Sequence, residues 1–368
     1  MDLNSNQRKI YFAALAVLIA AIALACAWGI LSRPASTAVQ PTRLPELTAR
    51  PAPGSPAPVS TPAVSPGPDT ASRGVNTVVY YQDNYGYLVP VMCTVPSAEG
   101  IAKATLGLMV QSPQNDMQAA RLGLRTVLPE DTSIDLDIAN GTARIDLGRQ
   151  ALQLSDAAAE SSMVTAVVQA LTEFPTVDRV EFLFGGQKLE KLPHGVDVSG
   201  QFTRGDINPE TASLGADISG AKPVLLYFPS DAGSVLVPVT RLVRSNADVN
   251  TAVLELTKGP TGTSALESVI PAGCGLVDVK VENRVAKLYF TGEFIQLAQN
   301  SDGGRMALKA LVLTCTQFDG IDGVEIYVDG ERYDPGVDTL AIPTFVNIAD
   351  DIVYDYIQTQ SAMIFDFD

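Results

Sequence analysis

Leu88-Val89-Pro90-Val91 returns as Leu236-Val237-Pro238-Val239, 148 positions further along the chain. Other landmarks keep the same order. Val127-Leu128-Pro129 answers to Val269-Ile270-Pro271, and Leu171-Thr172-Glu173-Phe174 answers to Cys315-Thr316-Gln317-Phe318. Val180-Glu181-Phe182-Leu183-Phe184-Gly185-Gly186 corresponds to Val324-Glu325-Ile326-Tyr327-Val328-Asp329-Gly330. The last two pairs share an offset of 144, so the unit is duplicated with short insertions in its loops.

Working outward from the Leu-Val-Pro-Val run, each copy reads as the same series of elements. Thr77–Gln82 and Val224–Phe228 are β-branched and aromatic runs, each followed by a polar turn and then the proline-containing strand. That proline cannot donate a ladder hydrogen bond, which places it at a sheet edge or a bulge. Val249, Ala252, Val253 and Leu256 follow helical spacing behind a cap expected at Asn246, and Lys258-Gly259-Pro260 ends the helix. The counterpart in the first copy is expected from Ser97 to Gln111.

Next, 133–138 and 142–147 pair around Asn140-Gly141, a type I′ hairpin signal, and 276–281 and 285–290 repeat the pattern. A second helix is expected over 155–174, with Met163, Val167, Ala170, Leu171 and Phe174 on one stripe. Its partner over 303–318 puts Ala307, Leu311, Cys315 and Phe318 in the matching slots, and a last strand closes each unit. The predicted fold class is α+β: two tandem α/β-sandwich domains, each strand-strand-helix-strand-strand-helix-strand, with both helices on one face of a small sheet.

The flanking composition supplies the rest of the map. Residues 1–9 read as a cytoplasmic tail ending in Arg8-Lys9, and 10–31 as an apolar run of 22 residues, long enough to span a bilayer. A lipoprotein signal using Cys26 as the lipidation site and an ordinary cleaved leader are the competing readings. The length of the run favours an uncleaved anchor, and all three put the folded part outside the cytoplasm, at the cell membrane. Residues 32–74 are a Pro-rich linker unable to bury enough surface to order itself. The first domain follows at 75–197, then a polar connector at 198–220, the second domain at 221–343 and an acidic C-terminal tail at 344–368.

Both copies resemble GerMN domains. In the second copy the resemblance is carried by Leu225-Leu226-Tyr227-Phe228-Pro229, Leu236 to Arg241, Ala252 to Leu256 leading to Gly259-Pro260, Ile270-Pro271-Ala272-Gly273, Leu311 to Phe318 and Val324 to Gly330. The first copy departs at Ser112-Pro113, where the pattern has Gly-Pro, and at Pro129-Glu130-Asp131, where it has Pro-x-Gly. The second departs at Cys274, where threonine is common, and at Cys315. The resemblance implies a non-enzymatic domain of the cell envelope acting in sporulation or spore germination. It also implies a core similar to the ring-building modules of secretion and sporulation channels.

Composition narrows the chemistry. The chain carries 25 basic and 41 acidic side chains, a net charge of −16, and beyond residue 72 the imbalance is 20 against 38. Such a surface repels phosphate backbones, which argues against a nucleic-acid partner. One histidine, His194, excludes a histidine-rich metal site and any mechanism needing two imidazoles.

His194 is expected as a solvated turn residue, Cys315 as an inert core thiol and Cys93 as a partly exposed strand residue aligned with Arg241. A Cys274–Cys315 disulfide is argued against by the first copy, which has no cysteines at the matching places. Asp135 and Asp137 share one face of a strand and read as a solvated acidic surface.

In the tail, Asp350, Asp351, Asp355, Asp366 and Asp368 alternate with Phe345, Tyr354, Tyr356, Phe365 and Phe367. They form an amphipathic segment suited to packing on the second unit or gripping a partner. No catalytic, cofactor or metal residue is assigned. The expected partners are the membrane through 10–31 and envelope or sporulation proteins, self-assembly included. Peptidoglycan or another envelope polymer is the alternative ligand, and it should show an aromatic-lined groove.

Overall fold

The computed structural model describes residues 74–97, 100–210, 219–230, 235–261, 265–299, 301–336 and 340–349. The expected anchor at 10–31, the lipidation candidate Cys26, most of the Pro-rich linker and the tail beyond Ala349 lie outside the described residues. In the first unit β1 (Gly74–Gln82) and β2 (Leu88–Pro96) form an antiparallel hairpin. Tyr80, Tyr81, Val89 and Val91 are all buried, so this ribbon is covered on both faces near its turn. Double-sided burial explains why Leu-Val-Pro-Val is a continuous apolar run and not an alternating one.

β3 (Ile134–Ala139), β4 (Thr142–Leu147) and β5 (Arg179–Phe184) make a separate three-stranded sheet, with β3 antiparallel and β5 parallel to β4. The single expected sheet is thus two. Asn140 and Gly141 have φ of 52° and 75°, as a type I′ turn requires, and Asp131 takes φ 58° in place of the glycine of the pattern. α3 (Ala157–Leu171) crosses over from β4 to β5, capped by Asp156, whose side chain accepts from the Ala159 N–H. Met163, Val167, Ala170 and Leu171 point into the core.

The helix expected from Ser97 to Gln111 is the shorter α1 (Ile101–Gly107), and a further helix, α2 (Pro113–Arg121), follows it. The departure at Ser112-Pro113 supplies the reason. Ser112 caps α2 by accepting from the Asn115 N–H at 3.2 Å, and Pro113 occupies the first helical position, where its missing N–H costs nothing.

The second unit repeats the plan with β6 (Lys222–Pro229), β7 (Leu236–Val243), α4 (Val249–Thr257), β8 (Leu276–Glu282), β9 (Val285–Phe290), α5 (Ser301–Thr316) and β10 (Gly323–Val328). A short β11 (Glu331–Tyr333) extends its sheet to the order β11-β10-β9-β8. Asp248, and not Asn246, caps α4, because its carboxylate reaches the Thr251 N–H three residues on. Val249, Ala252, Val253 and Leu256 are buried as their spacing requires.

The connector is less polar in structure than in composition. Val198 and Ile207 are buried and Phe202 is half-buried: Val198 donates its N–H to the Glu190 carbonyl, and Phe202 bridges Val180 in antiparallel fashion and stands edge-on to Phe182 at 5.5 Å.

Candidate functional site

The two hairpins meet along their outer edges, and each unit lends the other a strap. Residues 207–210, leaving the first unit, run parallel to β7 of the second. The Thr240 N–H donates to the Ile207 carbonyl at 3.0 Å and the Glu210 N–H to the Thr240 carbonyl at 2.9 Å. The exit segment of the second unit does the reverse. The Met92 N–H donates to the Asn347 carbonyl at 2.8 Å, and Ile348 pairs in parallel with Met92. The stretch 344–349, expected on the second unit, therefore also reaches the first, because β2 presents unpaired backbone groups there.

One asparagine pins each strap. Asn208 Oδ1 accepts from the Leu88 N–H at 2.8 Å, while its Nδ2 donates to the Leu88 carbonyl at 2.8 Å and the Pro238 carbonyl at 2.7 Å. Asn347 Oδ1 accepts from the Leu236 N–H at 2.8 Å, and its Nδ2 donates to the carbonyls of Leu236 at 2.8 Å and Pro90 at 2.9 Å. Leu88 and Pro90 are the repeat equivalents of Leu236 and Pro238, so the seam has approximate twofold symmetry. Both prolines sit where their missing N–H would face the seam, and each contributes only the carbonyl that an asparagine amide satisfies.

Beside the seam lies a cavity of about 380 Å³ walled by both units, with Tyr80, Glu173, Arg204, Leu225 and Tyr227 among its residues. Arg204 Nη2 donates to Glu173 at 2.7 Å and to the Tyr80 hydroxyl at 3.0 Å, and that hydroxyl donates to Glu173 at 2.7 Å. Burial, with Glu173 second, pushes the Tyr80 phenol far above its ordinary range, and burial pushes Tyr227 up to about 12. Burial works against the charge on Arg204, but Tyr80 and Glu173 outweigh it and hold the guanidinium protonated. Neither phenol exchanges a proton near neutrality, so the cluster fastens the first unit to its exit strap.

Arg241 is the second charged group of the junction and is 1% exposed. Its Nε donates to Glu210 at 2.6 Å, Nη1 to the Glu255 carbonyl at 2.8 Å and Nη2 to the Gly259 carbonyl at 2.7 Å. Glu210 belongs to the first unit's strap, so this pair crosses the seam. Cys93, at the matching place in the first copy, is half-buried as expected.

His194 lies exposed in a turn, as its sequence reading expected, and also meets a buried carboxylate. Its Nδ1 lies 3.0 Å from Oε1 of Glu160, a carboxylate 1% exposed that also accepts from the His194 backbone N–H at 2.8 Å. Cys315 is fully buried, and burial raises its thiol to about 12. Neither Cys274 nor Cys315 is in a disulfide. Asp135 and Asp137 lie exposed on β3, and among the described residues no group of three or more His, Cys, Asp or Glu side chains is placed to hold a metal ion.

Sequence reading passed over Asn208, Asn347, Arg204 and Glu160. A signal existed for the asparagines: Ile207-Asn208-Pro209 and Val346-Asn347-Ile348 both follow the last strand of their unit, extending the repeat beyond its recognised end.

Two other surfaces bear on function. Among the described residues β3 and β8 are the edge strands of their sheets, and Ile138, Val277 and Val281 on them are 37%, 68% and 49% exposed. An open groove of about 830 Å³ in the first unit runs past Gln82, Asp116, Arg125, Asp156 and Ser162, with Tyr85 at its lip.

The repeat is matched twice by one family model. Residues 78–190 and 225–334 each fit the family described as Germane, sporulation and spore germination. The chain belongs to the Germane family. The two matched blocks coincide with the two Germane units of the fold. The spore germination protein GerM of Bacillus subtilis strain 168 is 29% identical over 274 residues, 72% of this chain and 74% of that protein. The solved tandem GerMN domains of the sporulation protein GerM from Bacillus subtilis are 28% identical and superpose with a TM-score of 0.62, covering 75% of this chain and 99% of that one. The paired-domain resemblance read from the residues therefore holds, and the relationship supports a role in sporulation.

Proposed function

We propose that this Germane protein acts in sporulation or spore germination as a non-enzymatic protein of the cell envelope, working by association with other envelope proteins. Its folded part stands outside the cytoplasm, held at the membrane by the apolar run at 10–31. Among the described residues no helix is long and apolar enough to cross a membrane, and that run lies outside them, so the tether rests on the sequence.

The observation that carries assembly is the open edge of β8. An edge strand offers a row of unpaired N–H and C=O groups, and apolar side chains beside them make it a template for a partner's strand. Val277 and Val281 supply those side chains on β8, while the hairpin edges β2 and β7 are already occupied by the straps. The test places a photo-crosslinking residue at Val281 of the full chain in its sporulating host, with exposed Asn250 as the control position. Envelope proteins captured at Val281, and lost in the Val277→Glu variant, are the expected result.

Binding of an envelope polymer is the second reading, favoured by the polar groove with Tyr85, 63% exposed, at its lip. Co-sedimentation with peptidoglycan that is abolished by Tyr85→Ala, with no protein captured at Val281, would replace the first reading by the second.

A further inference from the structure

The cavity of about 380 Å³ beside the seam lies across its approximate twofold, because repeat-equivalent residues wall it in pairs. Pro90 answers to Pro238, and a tyrosine stands opposite each in its hairpin, Tyr80 opposite Pro90 and Tyr227 opposite Pro238. Glu173 and Gln317 are a further pair.

At that pair the symmetry breaks. On the first unit's side Glu173 accepts from the Tyr80 hydroxyl at 2.7 Å. On the other side Gln317 is committed to backbone: its Oε1 accepts from the Leu225 N–H at 2.9 Å, and its Nε2 donates to the carbonyls of Leu225 at 2.6 Å and Thr314 at 2.7 Å. Tyr227, only 8% exposed, is left with no hydrogen-bond partner for its hydroxyl among the described residues. A phenol buried that deeply costs stability unless something meets it. Glu173 also keeps a free acceptor there, since Tyr80 and Arg204 both use its Oε1 and leave Oε2. The charges of Arg204 and Glu173 both act on the Tyr227 phenol, so the three share one corner of the cavity. The rest of its wall includes Val78, Met92, Leu225 and Phe345.

We propose that this cavity is a binding site for a free α-amino acid with an apolar side chain. The corner holds one cation and one anion 2.7 Å apart, so a ligand of a single charge meets repulsion together with attraction. A zwitterion whose two charges sit on one carbon meets attraction at both. Its carboxylate accepts from the Tyr227 hydroxyl and faces the Arg204 guanidinium, its ammonium donates to Glu173 Oε2, and its side chain lies against the apolar wall. The volume falls within the roughly 300–1,000 Å³ of small-molecule sites. Both units and the 344–349 strap wall the cavity, so the occupant also fastens the seam. The inference rests on neither the assembly nor the polymer reading.

Titration calorimetry of the full chain with L-valine, L-leucine, L-methionine and L-phenylalanine tests it. The best binder is then compared with its own deaminated acid and its own decarboxylated amine, each of which should bind at least about tenfold more weakly. Tyr227→Phe should weaken the amino acid about tenfold while leaving the unliganded urea midpoint in place, because it removes a hydroxyl the protein itself does not use. Glu173→Gln should weaken the amino acid but not the deaminated acid, a split that a merely structural defect would not produce. No binding of any of the four at millimolar concentration would overturn the proposal. So would an acid or amine that binds as tightly as the amino acid, or a Tyr227→Phe chain that binds like the parent. Where Glu173→Gln lowers the unliganded midpoint, Tyr227→Phe decides alone.

Discussion

Replacing Asn347 by alanine probes the seam at its most buried pin. Asn347 is 4% exposed and holds three backbone groups of the seam, the carbonyls of Pro90 and Leu236 and the N–H of Leu236. At about 1 kcal/mol of net stabilisation per hydrogen bond, and more where an orphaned buried group finds no water, the loss is about 3 kcal/mol or more. That is a large share of the 5–15 kcal/mol that holds a typical domain together.

Urea unfolding of the full chain, followed by circular dichroism and tyrosine fluorescence, measures it. Because Asn347 ties two units together, its loss should also spread a single transition into two, as each unit then unfolds independently. Asn347→Asp is the sharper control. It keeps the acceptor for the Leu236 N–H but sets an oxygen against two carbonyls, so it should cost at least as much as alanine. Asn250→Ala, on the exposed face of α4, should change stability by no more than about 0.5 kcal/mol. An Asn347→Ala chain within that margin of the parent would refute the account of the seam.

Arg241→Leu leaves Glu210 and Glu255 without their buried cation and should lower stability by about 3–5 kcal/mol, read as a shift of the urea midpoint; a shift no larger than that of Lys258→Leu would count against it. Gly141→Ala should cost about 1–3 kcal/mol in the same assay, since φ is 75° and the added Cβ would come 2.3 Å from Asp178 Oδ2. Cys315 should resist alkylation at pH 8 in the folded chain, because burial holds its thiol near 12 and closes access, and should react fully in urea. Native labelling of Cys315 as fast as Cys274 would show that α5 is not packed as described.

The duplicated landmarks made the two-unit plan legible because they are local. Helical spacing at 249–256, the Asn140-Gly141 turn and the strand order all depend on neighbours within a few residues, and they survive folding unchanged. The Ser112-Pro113 departure was equally local, yet its consequence, a second short helix, is plain only once the serine hydroxyl is seen to accept from Asn115. Sequence by itself thus determined the repeat, the acidic surface, the apolar run at 10–31 and the family.

Tertiary structure alone decided that each repeat carries two sheets, that the hairpins are covered on both faces, and that the straps are exchanged. Asn208 meets Leu88 from 120 positions away, and Asn347 meets Pro90 from 257. An isolated asparagine carries no periodicity, and its worth comes from which unpaired backbone groups the fold delivers to it. The same holds for Arg241, an ordinary strand residue in sequence whose burial is set by a carboxylate arriving from the other unit.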